Sequence, residues 1–128
     1  MNNIQRKQRI LVVDDHPKVL RFIELDLKLH GYEVMATSSG EKALELIKSG
    51  KPDIMILDII MPGIDGFEVL KAMRGFSQLP VIAISASSGN YDGAINLGAN
   101  DFMTKPFEPD EMVRKIKTLL GQQQTEDE

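Results

Sequence analysis

Three short apolar runs, each stopped by a polar residue, constrain this chain more than any other feature. Ile10-Leu11-Val12-Val13 stops at Asp14-Asp15, Ile54-Met55-Ile56-Leu57 at Asp58, and Val81-Ile82-Ala83-Ile84 at Ser85. Such β-branched runs, with no polar alternation, suit strands covered on both faces. Covering both faces requires helices above and below the sheet, and parallel neighbours require right-handed crossovers between them. Weaker strands are expected over 33–37 and 101–103.

Helical spacing fills most of the intervals. Residues 40–48 carry Ala43, Leu44 and Ile47 on one side, and 67–73 carry Val69, Leu70 and Met73. Residues 110–120 put Met112, Val113, Ile116, Leu119 and Leu120 on a stripe, with Arg114, Lys115 and Lys117 outside it. Asp110 and Glu111 fall in that helix's first turn, where carboxylates favour the helix dipole. Gly31, Gly50, Gly75 and Gly121 each follow a helical segment, as C-terminal caps do. The segment 17–30 mixes two periods. Leu25, Leu27 and Leu29 alternate, while Val19, Ile23 and Leu27 recur every four residues; its length and Pro17 near its start favour a helix. Its apolar arc then covers more than half the circumference. That implies burial between two neighbours, the expected outcome, or a stripe open to a partner. The alternation as a whole predicts an α/β fold with a mostly parallel sheet and roughly five strand–helix units.

Composition narrows the chemistry. The chain has 128 residues, enough for one domain, and 42% of them are apolar. With no cysteine, disulfides, thiolate metal sites and cysteine nucleophiles are excluded, and two histidines make a His-rich metal centre unexpected. The charge is 15 − 19 = −4 and tryptophan is absent. Neither a basic field nor a stacking surface is therefore available for direct nucleic-acid binding. No apolar run is long enough for a membrane span. A soluble, cytoplasmic domain is expected, with a polar lead over 1–8, a folded unit over 9–120 and a short polar tail over 121–128.

The polar residues that stop the runs belong together. In open α/β sheets, ligands gather beyond the carboxyl ends of the strands. Asp14 and Asp15 follow the first strand, Asp58 the third and Ser85 the fourth, and Lys105 follows the fifth. Three clustered carboxylates repel, and one is driven toward protonation unless a cation intervenes. A hard divalent ion such as Mg²⁺ takes one or two carboxylates directly and leaves another free as a nucleophile, beside a lysine able to neutralise a transferred phosphoryl group.

In this setting the sequence resembles the receiver domains of two-component response regulators. The matching pieces are Leu11-Val12-Val13-Asp14-Asp15, the stretch from Leu57-Asp58 through Met61-Pro62-Gly63 to Asp65-Gly66, then Ser85-Ala86, Gly98-Ala99-Asn100-Asp101-Phe102 and Lys105-Pro106-Phe107. The resemblance covers residues 9 to 120. It implies a flavodoxin-like, doubly wound sheet of five parallel strands, order 2-1-3-4-5, flanked by five helices. It implies that Asp58 accepts a phosphoryl group from a sensor histidine kinase or histidine phosphotransferase. Asp14 and Asp15 would hold Mg²⁺, with Asp58 and the backbone carbonyl of Ile60 completing the protein ligands. Ser85 would contact the phosphoryl oxygens, Lys105 would pair with them, and Lys105-Pro106 would be cis, aiming the lysine inward. Phe102 would be an aromatic switch, its ring turning inward on activation. The surface of the fourth helix, fifth strand and fifth helix would bind a downstream protein. Ser85 stands where threonine is frequent, and Phe102 lacks a tyrosine's hydroxyl. His16, after the acid pair, is expected to be a solvated loop residue. Gly63, Gly66, Pro62 and Asp65 read as turn and helix-start chemistry.

Other readings meet specific obstacles. A nucleotide- or flavin-binding module needs glycines after the first strand, where this chain has Asp14-Asp15-His16-Pro17. A haloacid-dehalogenase-like phosphatase would put its nucleophile at the first strand in an Asp-x-Asp spacing. A degenerate receiver serving as a docking module would lack part of the acid and lysine set. The expectation is a phosphoacceptor switch rather than a turnover enzyme, either of the stand-alone kind, since few residues follow the last helix, or a receiver cut from a longer protein.

Overall fold

Alternate side chains of a strand point to opposite faces, so an unbroken apolar strand feeds two cores at once. The computed structural model describes residues 6–121. Its strands are β1 (Arg9–Val13), β2 (Glu33–Thr37), β3 (Ile54–Asp58), β4 (Val81–Ser85) and β5 (Asp101–Thr104). They form one parallel sheet in the order β2-β1-β3-β4-β5. The helices are α1 (Pro17–Leu29), α2 (Gly40–Ser49), α3 (Gly66–Met73), α4 (Tyr91–Asn96) and α5 (Pro109–Leu119). Leu11, Val13, Met55, Leu57, Val81 and Ala83 face α2, α3 and α4. Ile10, Val12, Ile54, Ile56, Ile82 and Ile84 face α1 and α5. The five-stranded, five-helix architecture expected from the sequence is the one observed. The expected lead over 1–8 and tail over 121–128 lie largely outside the described residues.

Local chemistry fixes the helix starts. Ser39 caps α2 by accepting from the Lys42 amide at 3.1 Å. Asp65 and Glu68 form a reciprocal capping box at α3. Asn100 ties β4 to the start of β5: its Oδ1 accepts from the Val81 amide at 2.8 Å, and its own amide donates to the Val81 carbonyl at 2.8 Å.

Two expectations need correction. The arc of α1 is not buried all round: Ile23 and Leu27 are in the core, whereas Phe22, Leu25 and Leu29 are exposed. Here α1 lies on one face of the sheet, and among the described residues no second neighbour covers its far side. The four glycines read as caps do follow helices: Gly50 is the C-cap of α2, its amide donating to the Leu46 carbonyl, Gly75 follows the Arg74 cap of α3, and Gly31 and Gly121 adopt positive φ. Gly66 is not a turn residue. It begins α3 where a Cβ would lie 2.5 Å from the Asp58 carbonyl and 2.6 Å from Ile59 Cα, so glycine is what lets α3 start against the end of β3.

Candidate functional site

The register of the sheet decides which polar residues meet. Val13 pairs with Leu57 across β1 and β3, so Asp14 comes level with Asp58. Asp58 pairs with Ile84, and Ser85 with Thr104, so Ser85 and Lys105 lie one step further out on the same rim. Because α1 and α3 cover opposite faces, the chain parts between β1 and β3 and leaves a crevice above them. A cleft of about 290 Å³ opens there, lined by His16, Val19, Asp58, Ile60, Ala86 and Lys105.

The structure brings Asp14, Asp15, Asp58 and Lys105 together. Asp14 and Asp58 are buried, at 0% and 1% exposure, and Asp15 is half-buried. Lys105 Nζ lies 2.9 Å from Asp14 Oδ2 and 3.3 Å from Asp58 Oδ2, along a chain whose Lys105–Pro106 bond is cis. One ammonium does not satisfy three carboxylates. Among the described residues, Asp14 Oδ2, Asp15 Oδ1 and Asp58 Oδ2 are buried and accept no well-aligned hydrogen bond. Burial, then the neighbouring Asp14 charge, pushes the Asp58 carboxyl up to about 6, with Lys105 opposing the rise. Three converging, unsatisfied carboxylate oxygens are the donor set a hard divalent cation takes, so the residues present fit Mg²⁺.

Ser85 is fully buried. Its Oγ accepts from the Ser87 amide at 3.0 Å and from Asn90 Nδ2 at 2.8 Å. Both lone pairs are thus engaged, and the hydroxyl proton is left to donate. Phe102 packs inside the core beneath α4, edge-on to Tyr91 with ring centroids 5.6 Å apart. Its side chain is buried. The side chain of Ile60, two residues beyond Asp58, stands exposed at the lip of the cleft.

His16 is an exposed loop residue, as expected from the sequence, and its ring also reaches the acids. Its amide donates to Asp14 Oδ1 at 2.9 Å, and this turn aims the ring at the acids. Nδ1 lies 3.1 Å from Asp14 Oδ1, 3.4 Å from Asp15 Oδ1 and 3.8 Å from Asp58 Oδ2. Sequence reasoning also missed Asn90 as the partner of Ser85. For His16 a signal existed in its adjacency to the acid pair; for Asn90 none did.

Comparison with known proteins agrees with this geometry. A profile of the response regulator receiver domain matches residues 10–117. The chain is 37% identical over 116 residues to the alkaline phosphatase synthesis transcriptional regulatory protein PhoP of Bacillus subtilis, covering 88% of this chain and 48% of that one. The chain spans about half the length of the curated relatives it matches. Among solved structures, a putative response regulator from Chloroflexus aurantiacus superposes with a TM-score of 0.86 at 36% identity, covering 91% of this chain and 100% of that one. The response regulator protein TrrA from Thermotoga maritima, solved in complex with Mg²⁺-BeF, superposes with a TM-score of 0.81 at 37% identity, covering 88% and 98%.

Proposed function

This chain belongs to the response regulator receiver domain family, the phosphoacceptor switches of two-component signalling, and we propose that Asp58 is the residue that takes the phosphoryl group. The observation that carries this assignment is the position of Asp58 between the acid pair and Lys105. It is buried, yet with its carboxyl near 6 it is mostly ionised at neutral pH. A carboxylate oxygen attacks the phosphorus of a phosphohistidine, the new O–P bond forms as the P–N bond breaks, and the electron pair leaves with the imidazole nitrogen. Asp14, Asp15, Asp58 and the Ile60 carbonyl would hold Mg²⁺, which when bound would neutralise charge on the phosphoryl oxygens. Lys105 pairs with the same oxygens, moving from Asp14 and Asp58 onto the incoming group. Each chain takes one phosphoryl group and is itself the reactant, which sets this chemistry apart from a phosphatase's turnover.

The donor is a histidine kinase or phosphotransferase on the cytoplasmic side. A surface suited to such a protein adjoins the site: a groove of about 490 Å³ lined by Lys18, Val19, Phe22, Ala86, Lys105, Pro106 and Phe107, continued by exposed Leu25 and Leu29. Among the described residues no helix is long and apolar enough to cross a membrane. Output runs through Ser85. Its free hydroxyl proton donates to the phosphoryl oxygens, and the pull on the loop before α4 shifts Tyr91 against Phe102. The α4–β5–α5 surface then changes for a downstream protein; the net charge of −4 disfavours direct contact with nucleic acid by this unit. Intact-mass measurement after incubation with a small acyl phosphate and Mg²⁺ tests the proposal: a single phosphoryl adduct on the wild type and none on Asp58→Asn supports it. An adduct that persists in Asp58→Asn overturns it.

A further inference from the structure

The phosphoacceptor reading leaves one residue of the site without a role. His16 is no part of the acid pair, the acceptor or the lysine. Yet its Nδ1 lies 3.4 Å from Asp15 Oδ1 and 3.8 Å from Asp58 Oδ2. These are two of the site's three buried oxygens that accept no well-aligned hydrogen bond among the described residues. Donor atoms from Asp14, Asp15, His16 and Asp58 all fall within 4.8 Å of one another. Around an ion bound at about 2.1 Å, adjacent donors are spaced about 3.0 Å apart in an octahedron and about 3.4 Å in a tetrahedron. The nitrogen–oxygen separations are near those edges before any ion draws the groups inward.

The donor types carry the consequence. Carboxylate oxygens serve hard ions such as Mg²⁺, whereas imidazole favours the later first-row divalent ions. We propose that His16 ligates the site's divalent ion through Nδ1 and biases the site toward transition ions such as Co²⁺ and Zn²⁺ over Mg²⁺. The inference rests on the metal-binding reading above and adds a donor to it. The ring can take this role because it is anchored only lightly. Its side chain is 61% exposed, and Nδ1 is held by the 3.1 Å contact to Asp14 Oδ1 and a 3.5 Å approach to Lys105 Nζ, both of which an ion can replace. The same exposure means that truncation opens no cavity in the core.

Calorimetric titration of Mg²⁺, Co²⁺ and Zn²⁺ into the full chain tests this, using wild type, His16→Ala and His30→Ala, with imidazole ¹⁵N spectra recorded with and without Zn²⁺. His16→Ala is expected to weaken Co²⁺ and Zn²⁺ by about tenfold or more, as loss of a donor should, while changing Mg²⁺ affinity by less than about twofold. Zn²⁺ should shift the His16 Nδ1 resonance, and His30→Ala should bind all three ions as wild type does. Equal weakening for the three ions, unchanged Zn²⁺ affinity in His16→Ala, or loss that follows His30 instead overturns the inference. If wild type binds Mg²⁺ normally in any of those cases, the reading of the acidic site stands and only the role of His16 falls. If wild type binds no Mg²⁺, both fall together.

Discussion

Replacing Asp58 by asparagine is expected to stabilise the ion-free protein at neutral pH. The native chain binds a proton at Asp58 near pH 6, the unfolded chain near 3.8. Between those values the native state holds more protons, so stability is highest below the window and falls as pH rises through it. Above pH 6 the full cost of keeping the buried carboxylate ionised beside Asp14 is present. A rise from 3.8 to about 6 corresponds to about 3 kcal/mol. Asparagine keeps the size and removes the charge, but it also loses the 3.3 Å contact to the Lys105 ammonium. The net gain is therefore smaller, about 1–2 kcal/mol, or about 4–8 °C in melting temperature for a chain of this length. Thermal unfolding followed by circular dichroism, with chelator present, should show this gain at pH 7.5 and a gain smaller by about 2 kcal/mol at pH 4.5, inside the titration window. A variant less stable than wild type at pH 7.5, or a gain of equal size at both pH values, would refute the electrostatic account of the site.

Other perturbations probe neighbouring parts of the same account. Lys105→Ala removes the ammonium that opposes the rise at Asp58, so carboxyl ¹³C titration should place Asp58 above 6; an unmoved midpoint contradicts the pairing. Mg²⁺ at a hundred times its dissociation constant should stabilise wild type by about 2.7 kcal/mol, and Asp15→Ala should abolish that response in melting curves. Asn100→Ala takes the acceptor from the Val81 amide, at a fully buried residue, and should cost about 1–3 kcal/mol in urea unfolding.

The sequence disclosed what depends on local pattern. The three unbroken strands were legible because both faces of each are buried, and α2, α3 and α5 because each presents one apolar stripe. By contrast α4 left no trace. It has six residues, of which Ala94 is the buried one, too few for a period to register. The outer face of α1 misled because apolar residues do not announce whether anything covers them. At the site, Asp14, Asp15, Asp58, Ser85 and Lys105 could be grouped since each ends or follows a strand of one parallel sheet. The inward turn of His16 depends on a backbone bond to Asp14, the hold of Asn90 on Ser85 on how the loop before α4 folds back, and the role of Gly66 on an approach between two backbone segments. Apart from the adjacency of His16 to the acid pair, these are three-dimensional contacts with no one-dimensional signature.

The central claim is that one carboxylate among three takes the phosphoryl group. An acyl phosphate on aspartate can be reduced with borohydride to homoserine, which marks the residue permanently. The chain should be phosphorylated with a small acyl phosphate, reduced, digested and mapped by mass spectrometry, with and without Mg²⁺. The account predicts homoserine at position 58, formed when Mg²⁺ is present and lost in chelator. Homoserine at position 14 or 15, or no reduced residue in the presence of Mg²⁺, would contradict it.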